Sequence, residues 1–168
     1  MTSLKDAIHE KHKIAERKNF NLRMLNGELS DKEYVKYLIQ QLAIFSEMER
    51  FDLPSPVLAR KEKISLDISE LSDSVGEQPD LLESTKSYVS YLSGLNQVEL
   101  LPHVYLNYLA LVFGGQMMKS KVPGSGKMFD FEDKMTEAVT SIRSIQKDEW
   151  ADESNKGLDY LINIFDEL

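Results

Sequence analysis

The sequence calls for an all-α, single-domain helical bundle, on three grounds. Apolar residues recur at helical spacing along most of the chain, and no stretch sustains the alternation of a half-buried strand. At 168 residues, 42% apolar and 29% charged, the chain suits one domain able to bury a real core. No internal repeat or low-complexity tract is present, so residues 1–168 read as one compact, non-repetitive unit.

The first helix is expected from Ser3 to Lys18. A short one carrying Phe20, Met24 and Leu25 stops near Asn26-Gly27, where glycine suits a helix end. Ser30-Asp31-Lys32-Glu33 is a capping box: Ser30 can accept from the third helical N–H while Glu33 reaches back to the cap. An apolar-periodic run follows to Phe51, and Pro54 and Pro56 end it. Val57 to Leu71 has weaker helical spacing, and Ser72 to Pro79, with Gly76, reads as a loop. Leu81 to Leu95 and Gln97 to Lys119 give two more helices. Pro123-Gly124-Ser125-Gly126 is the strongest loop signal, and a last pair follows it, about Phe131 to Lys147 and Ala151 to Glu167.

No apolar run approaches the roughly eighteen residues that a membrane span needs. Charges are mixed too closely through Met1 to Lys13 for a signal peptide, so a soluble, cytoplasmic protein with no membrane partner is expected. The absence of cysteine removes disulfides, thiolate ligands and cysteine nucleophiles together. Any metal must then use His, a carboxylate, Tyr or Met, and the only histidines are His9, His12 and His103. A net charge of −8 argues against nonspecific nucleic-acid binding. The cations Lys5, Lys11, Lys13, Arg17, Lys18 and Arg23 nevertheless cluster near the start, against Asp6, Glu10 and Glu16. They read either as a solvated helix face or as a positive face that could meet anionic groups or an acidic electron donor.

On a helical wheel at ~100° per residue, Leu4, Ala7, Ile8 and Ala15 form a buried stripe broken only by Lys11. His12 falls on its edge, with Lys5, Glu16 and His9 further round. Such a border suits heme, whose macrocycle wants apolar contact while its propionates want water and cations. A ligating imidazole needs an acceptor on its other nitrogen, and Glu16, one turn on, can serve. Spacing alone leaves two alternatives open: a structural His12–Glu16 pair across i, i+4, or a nonheme metal site built from His9, His12 and Glu16.

The segment Leu106 to Met118 (LNYLALVFGGQMM) is nearly continuously apolar, as in a helix buried on most sides. Gly114-Gly115 interrupts it at ~1 kcal/mol per glycine relative to Ala, and paired glycines are a place where helices kink. A large flat ligand against the backbone, close helix packing, or a chain turn could each compensate.

Two stretches together resemble the heme oxygenase family. LKDAIHEKHKIAE, Leu4 to Glu16, is similar to that family's first helix, and the match places the heme-iron ligand on His12 rather than His9. The resemblance implies Lys5 near a propionate, Glu16 as partner of the ligand's second nitrogen, and Phe20 and Met24 lining the pocket. PHVYLNYLALVFGGQMMKSKV, Pro102 to Val122, resembles the distal helix, which implies Tyr105, Gly114 and Gly115 as heme contacts. Arg143 resembles a propionate-binding Arg. The final YLINIFDEL, matched only with a shortened loop before it, places Tyr160 beside the heme and Asn163 where it helps hold distal water. The family usually carries Gly-Asp where this chain has Ala110-Leu111, and that Asp orders water near the reacting oxygen. Leu111 can neither donate nor accept a hydrogen bond. The plant and plastid branch also lacks the Asp, and GGQMMKSKV and KMFDFED look closer to that branch.

The resemblance implies an enzyme that cleaves heme to biliverdin, CO and iron, using O2 and electrons from outside, since the chain carries no flavin or iron-sulfur motif. A ferredoxin or similar reductase is the implied donor, and a bilin reductase a possible consumer of the product. The rival readings are a protein that binds or stores heme without cleaving it, motivated by Leu111, and a heme-free relative of the scaffold like the thiamine-degrading ones. The latter use a cysteine nucleophile that this chain lacks.

Overall fold

The computed structural model describes residues 2–168, and Met1, the first residue of the amino-terminal stretch, lies outside the described residues. Its helices are α1 (Leu4–Glu16), α2 (Asn19–Leu25), α3 (Asp31–Met48), α4 (Lys61–Val75), α5 (Glu83–Ser93), α6 (Gln97–Val112), α7 (Gly115–Met118), α8 (Met135–Arg143) and α9 (Ala151–Glu167). Three short 3-10 turns join them, at Pro56–Leu58, Lys127–Phe129 and Asp148–Trp150. Among the described residues there is no strand, and no helix is long and apolar enough to cross a membrane.

The caps set most helix starts. Ser3 accepts from Asp6 N–H, and Asp148 Oδ1 accepts the Leu4 N–H at 2.9 Å, so two carboxylate or hydroxyl oxygens meet the first donors of α1. The Ser30–Glu33 capping box forms as expected, and Arg23 pairs with Glu33, whose carboxyl that pair holds down to about 2. A second box, Asn96 with Glu99, opens α6.

Several boundaries differ from expectation: the helix expected from Gln97 to Lys119 breaks after Val112, and the one expected from Val57 begins only at Lys61, after a 3-10 turn. Helix α4 runs on to Val75 through the serines that suggest a loop, because their hydroxyls bond to the helix itself and to a neighbour. Ser72 and Ser74 donate to the carbonyls of Ser69 and Leu71, and Ser74 also faces Asp31 of α3 at 2.7 Å. Gly76, at φ 77°, then ends it. The expected helix from Phe131 to Lys147 shrinks to α8, because residues 127–131 are held as a turn by buried charges.

Those charges are Asp67 and Arg60, both almost wholly buried. Asp67 accepts the Lys127 and Met128 N–H groups at 3.0 and 2.8 Å, which offsets the upward push of burial on its carboxyl. Arg60 donates to the carbonyls of Val57, Leu58, Ala59, Met128 and Asp130 and lies 3.8 Å over the Phe131 ring. Burial lowers its guanidinium to about 10, so it stays charged at neutral pH.

Helix α9 is the shared partner, packed on α1, α5, α6 and α2, while α3 packs on α4 and α5. Its contact with α6 is close because Gly157 sits there: a Cβ at that position would lie 2.9 Å from both His103 Nδ1 and Leu106 Cδ2. His103 is fully buried and satisfied at both ring nitrogens, by Tyr88 Oη at 2.8 Å and Glu153 Oε1 at 3.0 Å. Asn107 donates to Tyr88 Oη, so the Tyr88 proton goes to Nδ1 and the imidazole donates from Nε2 to Glu153, which Tyr91 also contacts. This network ties α5, α6 and α9 together.

Burial holds the His103 imidazole below its ordinary value of 6.5, against the opposing pull of Glu153. Above 6.5 the imidazole is neutral in the folded and unfolded chain alike, and its contribution to stability is complete. As pH falls below 6.5 the unfolded chain takes up a proton that the folded chain resists, so stability drops until the lowered folded value is passed. The melting temperature is therefore expected to fall on acidification through this range, and a His103→Gln variant to lose that part of the slope. Equal slopes in the two proteins would contradict the assignment.

Candidate functional site

Helix α1 reaches α9 through Ala7, whose carbonyl accepts from Asn155, and through Lys11, which pairs with Asp159 at 2.7 Å. One position further round, His12 leaves that contact and stands 44% exposed on the flank of α1. Its Nδ1 lies 3.0 Å from Glu16 Oε1. Nε2 is therefore the nitrogen turned to other partners. His9 lies on the solvent side and is exposed, and no cluster of three or more candidate metal ligands exists among the described residues. A nonheme centre from His9, His12 and Glu16 is thus not formed.

The facing element is the second half of α6 with α7. The α6 face that packs on α9 through His103 and Leu106 continues as Ala110, Phe113, Gly114 and Met117, at i, i+3, i+4 and i+7. There it is uncovered: Phe113 is 52% exposed and Met117 64%. The helix breaks at this face, α6 ending at Val112 and α7 beginning at Gly115. A Cβ on Gly114 would touch only the Ala110 carbonyl, at an ordinary 3.5 Å, so the Gly114 backbone borders open space. Helix α9 packs on both α1, which carries His12, and α6, whose uncovered face ends at Gly114.

Arg143 of α8 closes one edge. Its guanidinium lies 5.6 Å from the Phe113 ring centroid, donates to Gln146 Oε1 at 2.9 Å, and lies within reach of the Tyr105 hydroxyl. Burial raises that phenol while Arg143 pulls it back, and Trp150 packs edge-on against the ring at 6.2 Å.

Several expected site residues lie elsewhere. Gly115 is buried, and a Cβ on it would meet Phe129 Cδ1 at 2.6 Å, so close packing rather than a ligand demands this glycine. Leu111 is 4% exposed and points into the core behind the uncovered face. Phe20 and Met24 are likewise covered, Phe20 at 5.8 Å from Tyr37 of α3. Tyr160 stacks on Tyr88 and Tyr91 at 5.1 and 5.3 Å, on the α5 side of α9, and exposed Asn163 stands between the α1 and α5 sides. At ~100° per residue both fall opposite the α9 face that lies between α1 and α6. The basic amino-terminal face is also reduced. Lys11, Lys18 and Arg23 are paired with Asp159, Asp166 and Glu33, carboxylates distant in sequence, while Lys5 and Arg17 remain exposed.

Sequence reasoning missed Ala110, Phe113 and Met117. Their spacing is helical, but Leu109, Leu111 and Val112 on the other sides of α6 are apolar too, which hides the uncovered side. The residues these elements present are of the kinds that fit a flat apolar macrocycle containing iron: an imidazole with one nitrogen oriented, a side-chain-free backbone patch at Gly114, and the Arg143 cation beside Phe113.

Residues 1–152 match the family model described as heme oxygenase, and the chain belongs to the heme oxygenase family. Tyr160 and Asn163 fall beyond that matched stretch. No curated protein sequence matches the chain significantly. Solved structures share the fold, among them three heme oxygenases. Heme oxygenase from Leptospira interrogans is 22% identical with a TM-score of 0.80, covering 98% of this chain and 97% of that one. Heme oxygenase-1 from the cyanobacterium Synechocystis sp. PCC6803, in complex with heme, is 22% identical with a TM-score of 0.78, covering 98% and 90%. Heme oxygenase-2 from Synechocystis, in complex with heme and NO, is 17% identical with a TM-score of 0.76, covering 98% and 82%.

The two glycines should respond differently to a methyl group. Gly114→Ala is expected to leave the melting temperature nearly unchanged or raised, since Ala favours helix. Gly115→Ala should destabilise by about 1–3 kcal/mol through overpacking against Phe129. Denaturant unfolding of both variants decides it, and similar losses would refute the division.

Proposed function

We propose that this protein is an active heme oxygenase, taking heme as both cofactor and substrate and opening the ring to biliverdin with release of CO and iron. The reading is supported by His12, with Glu16 on its Nδ1, and by the uncovered Gly114 backbone, on two helices that both pack on α9, in a chain that belongs to this family; the heme would lie in a cleft between them. The bound iron supplies the centre at which O2 is activated, with electrons from an external donor.

The chain's own residues bind and orient. His12 Nε2 ligates the iron, and Glu16 accepts from Nδ1–H, fixing the tautomer. Lys5 and Arg143 take the propionates, which selects the ring edge that faces the distal side. Ala110, Phe113 and Met117 cover the macrocycle and exclude water, while Gly114 lets it lie against the backbone. Tyr105 holds Arg143 in place. The donor is a ferredoxin or a similar small acidic reductase, drawn to the exposed Lys5 and Arg17, and a bilin reductase would consume the product.

A second reading, heme binding without cleavage, is favoured by one observation: Leu111 is apolar and buried where the family usually carries an Asp. The distal side then lacks that carboxylate's hold on water.

Hemin added to the purified protein is expected to form a one-to-one complex with a histidine-type Soret band. His12→Ala should lose that band and His9→Ala keep it; the reverse pattern would refute the ligand assignment. With ferredoxin, its reductase and NADPH, the complex should convert to a bilin spectrum. Heme bands that persist under those conditions would select the storage reading. In an Arg143→Ala variant, hemin affinity should fall by roughly tenfold or the biliverdin isomer should change, matching the loss of one charge-assisted contact.

A further inference from the structure

The helix break beside Gly114 is held from behind by a segment that touches no ligand. Where α6 stops, its last carbonyls lose their usual helical donors. One of them, Leu111 O, is met by the side chain of Gln116, whose Nε2 donates to it at 3.3 Å and to Phe129 O at 2.7 Å. Gln116 thus bridges the end of α6 to residues 127–131. The Phe129 ring fills the space over Gly115 so closely that a methyl group there would overlap it. The segment itself is fixed on both its hydrogen-bonding sides: Asp67 accepts two of its N–H groups, and Arg60 donates to two of its carbonyls. A buried anion and a buried cation therefore lock the backstop against which the break rests.

We propose that Gln116 and Phe129 are positioning residues that set how far the Gly114 backbone stands into the cleft, and hence the clearance above a macrocycle ligated by His12. This rests on the heme reading above. Gln116 supplies the donor that keeps the broken end of α6 in register with residues 127–131. Phe129, packed on Gly115, fixes the depth of the break. Neither touches the macrocycle, because both lie on the far side of α6 and α7 from the uncovered face.

The test uses the full chain as wild type, Gln116→Glu, Gly115→Ala, and Gly115→Ala combined with Phe129→Leu. Two readouts are taken: amide hydrogen exchange across residues 114–118 without heme, and the C–O stretching frequency of the reduced hemin complex under carbon monoxide, which senses the surface opposite the histidine. Gln116→Glu preserves shape but turns an acceptor toward two carbonyls. Exchange should quicken by about tenfold, the scale of one lost buried hydrogen bond, and the C–O frequency should shift while the histidine-type Soret band stays. Acidification that protonates the new carboxyl restores a donor and should move the frequency back, which a general loosening would not do. Gly115→Ala should shift the frequency as well, and the added Phe129→Leu should relieve it. Unchanged exchange and frequency in Gln116→Glu, or a Gly115→Ala effect that Phe129→Leu leaves in place, overturns the proposal. A wild type that takes up no hemin sinks the heme reading and this proposal with it, whereas hemin uptake with insensitive variants overturns this proposal alone.

Discussion

The close approach of α9 and α6 at Gly157 fixes the geometry of everything around the cleft. With no side chain at 157, the α9 backbone comes up against His103 and Leu106, and the imidazole is buried between α5, α6 and α9. A buried imidazole is tolerable only when both nitrogens are met, and Tyr88 and Glu153 meet them. The helix that carries α1 is thereby tied to the helix that forms the opposite wall. Beyond the contact the α6 face continues without a cover, and His12 stands on the matching flank of α1.

Around this crossing the molecule uses buried polarity to shape backbone that is not helical. Arg60 and Asp67 do no surface work; they satisfy carbonyl and amide groups of a turn that no sheet or helix could satisfy. Removing either would leave backbone groups unpaired in the interior, which costs more than the ion itself contributes. The turn they hold supports Phe129, which packs on Gly115, and Gln116, which bonds to the end of α6 and to Phe129 O. Within a mainly aliphatic core, the largest fully buried side chains are aromatic: Tyr34, Tyr88, Tyr108, Phe45 and Phe129.

The paired glycines serve two ends that the dipeptide cannot distinguish. At 115 the glycine is required by protein packing, whereas at 114 a Cβ would meet only one ordinary contact. Only the direction of each Cα–Hα bond separates them, and that direction depends on how the helix breaks. The apolar sequence of α6 likewise conceals which side is left bare, since Leu106, Leu109, Leu111 and Val112 are as apolar as Ala110, Phe113 and Met117. Periodicity reveals a face only when the other faces are polar.

The sequence by itself determined the all-helical architecture, most helix starts, a weak point at Gly114-Gly115, and the pairing of His12 with Glu16. These follow from caps, glycine and contacts one turn apart, which depend on residues close together in the chain. Tertiary structure decided the rest. It carried α4 through its serines, paired Lys11 and Lys18 with carboxylates of α9, stacked Tyr160 on α5, broke α6 after Val112, and left Phe113 and Met117 uncovered. Each of those outcomes depends on the rotation of one helix against another. Rotation is set by long-range packing such as the Gly157 contact, and no local pattern encodes it.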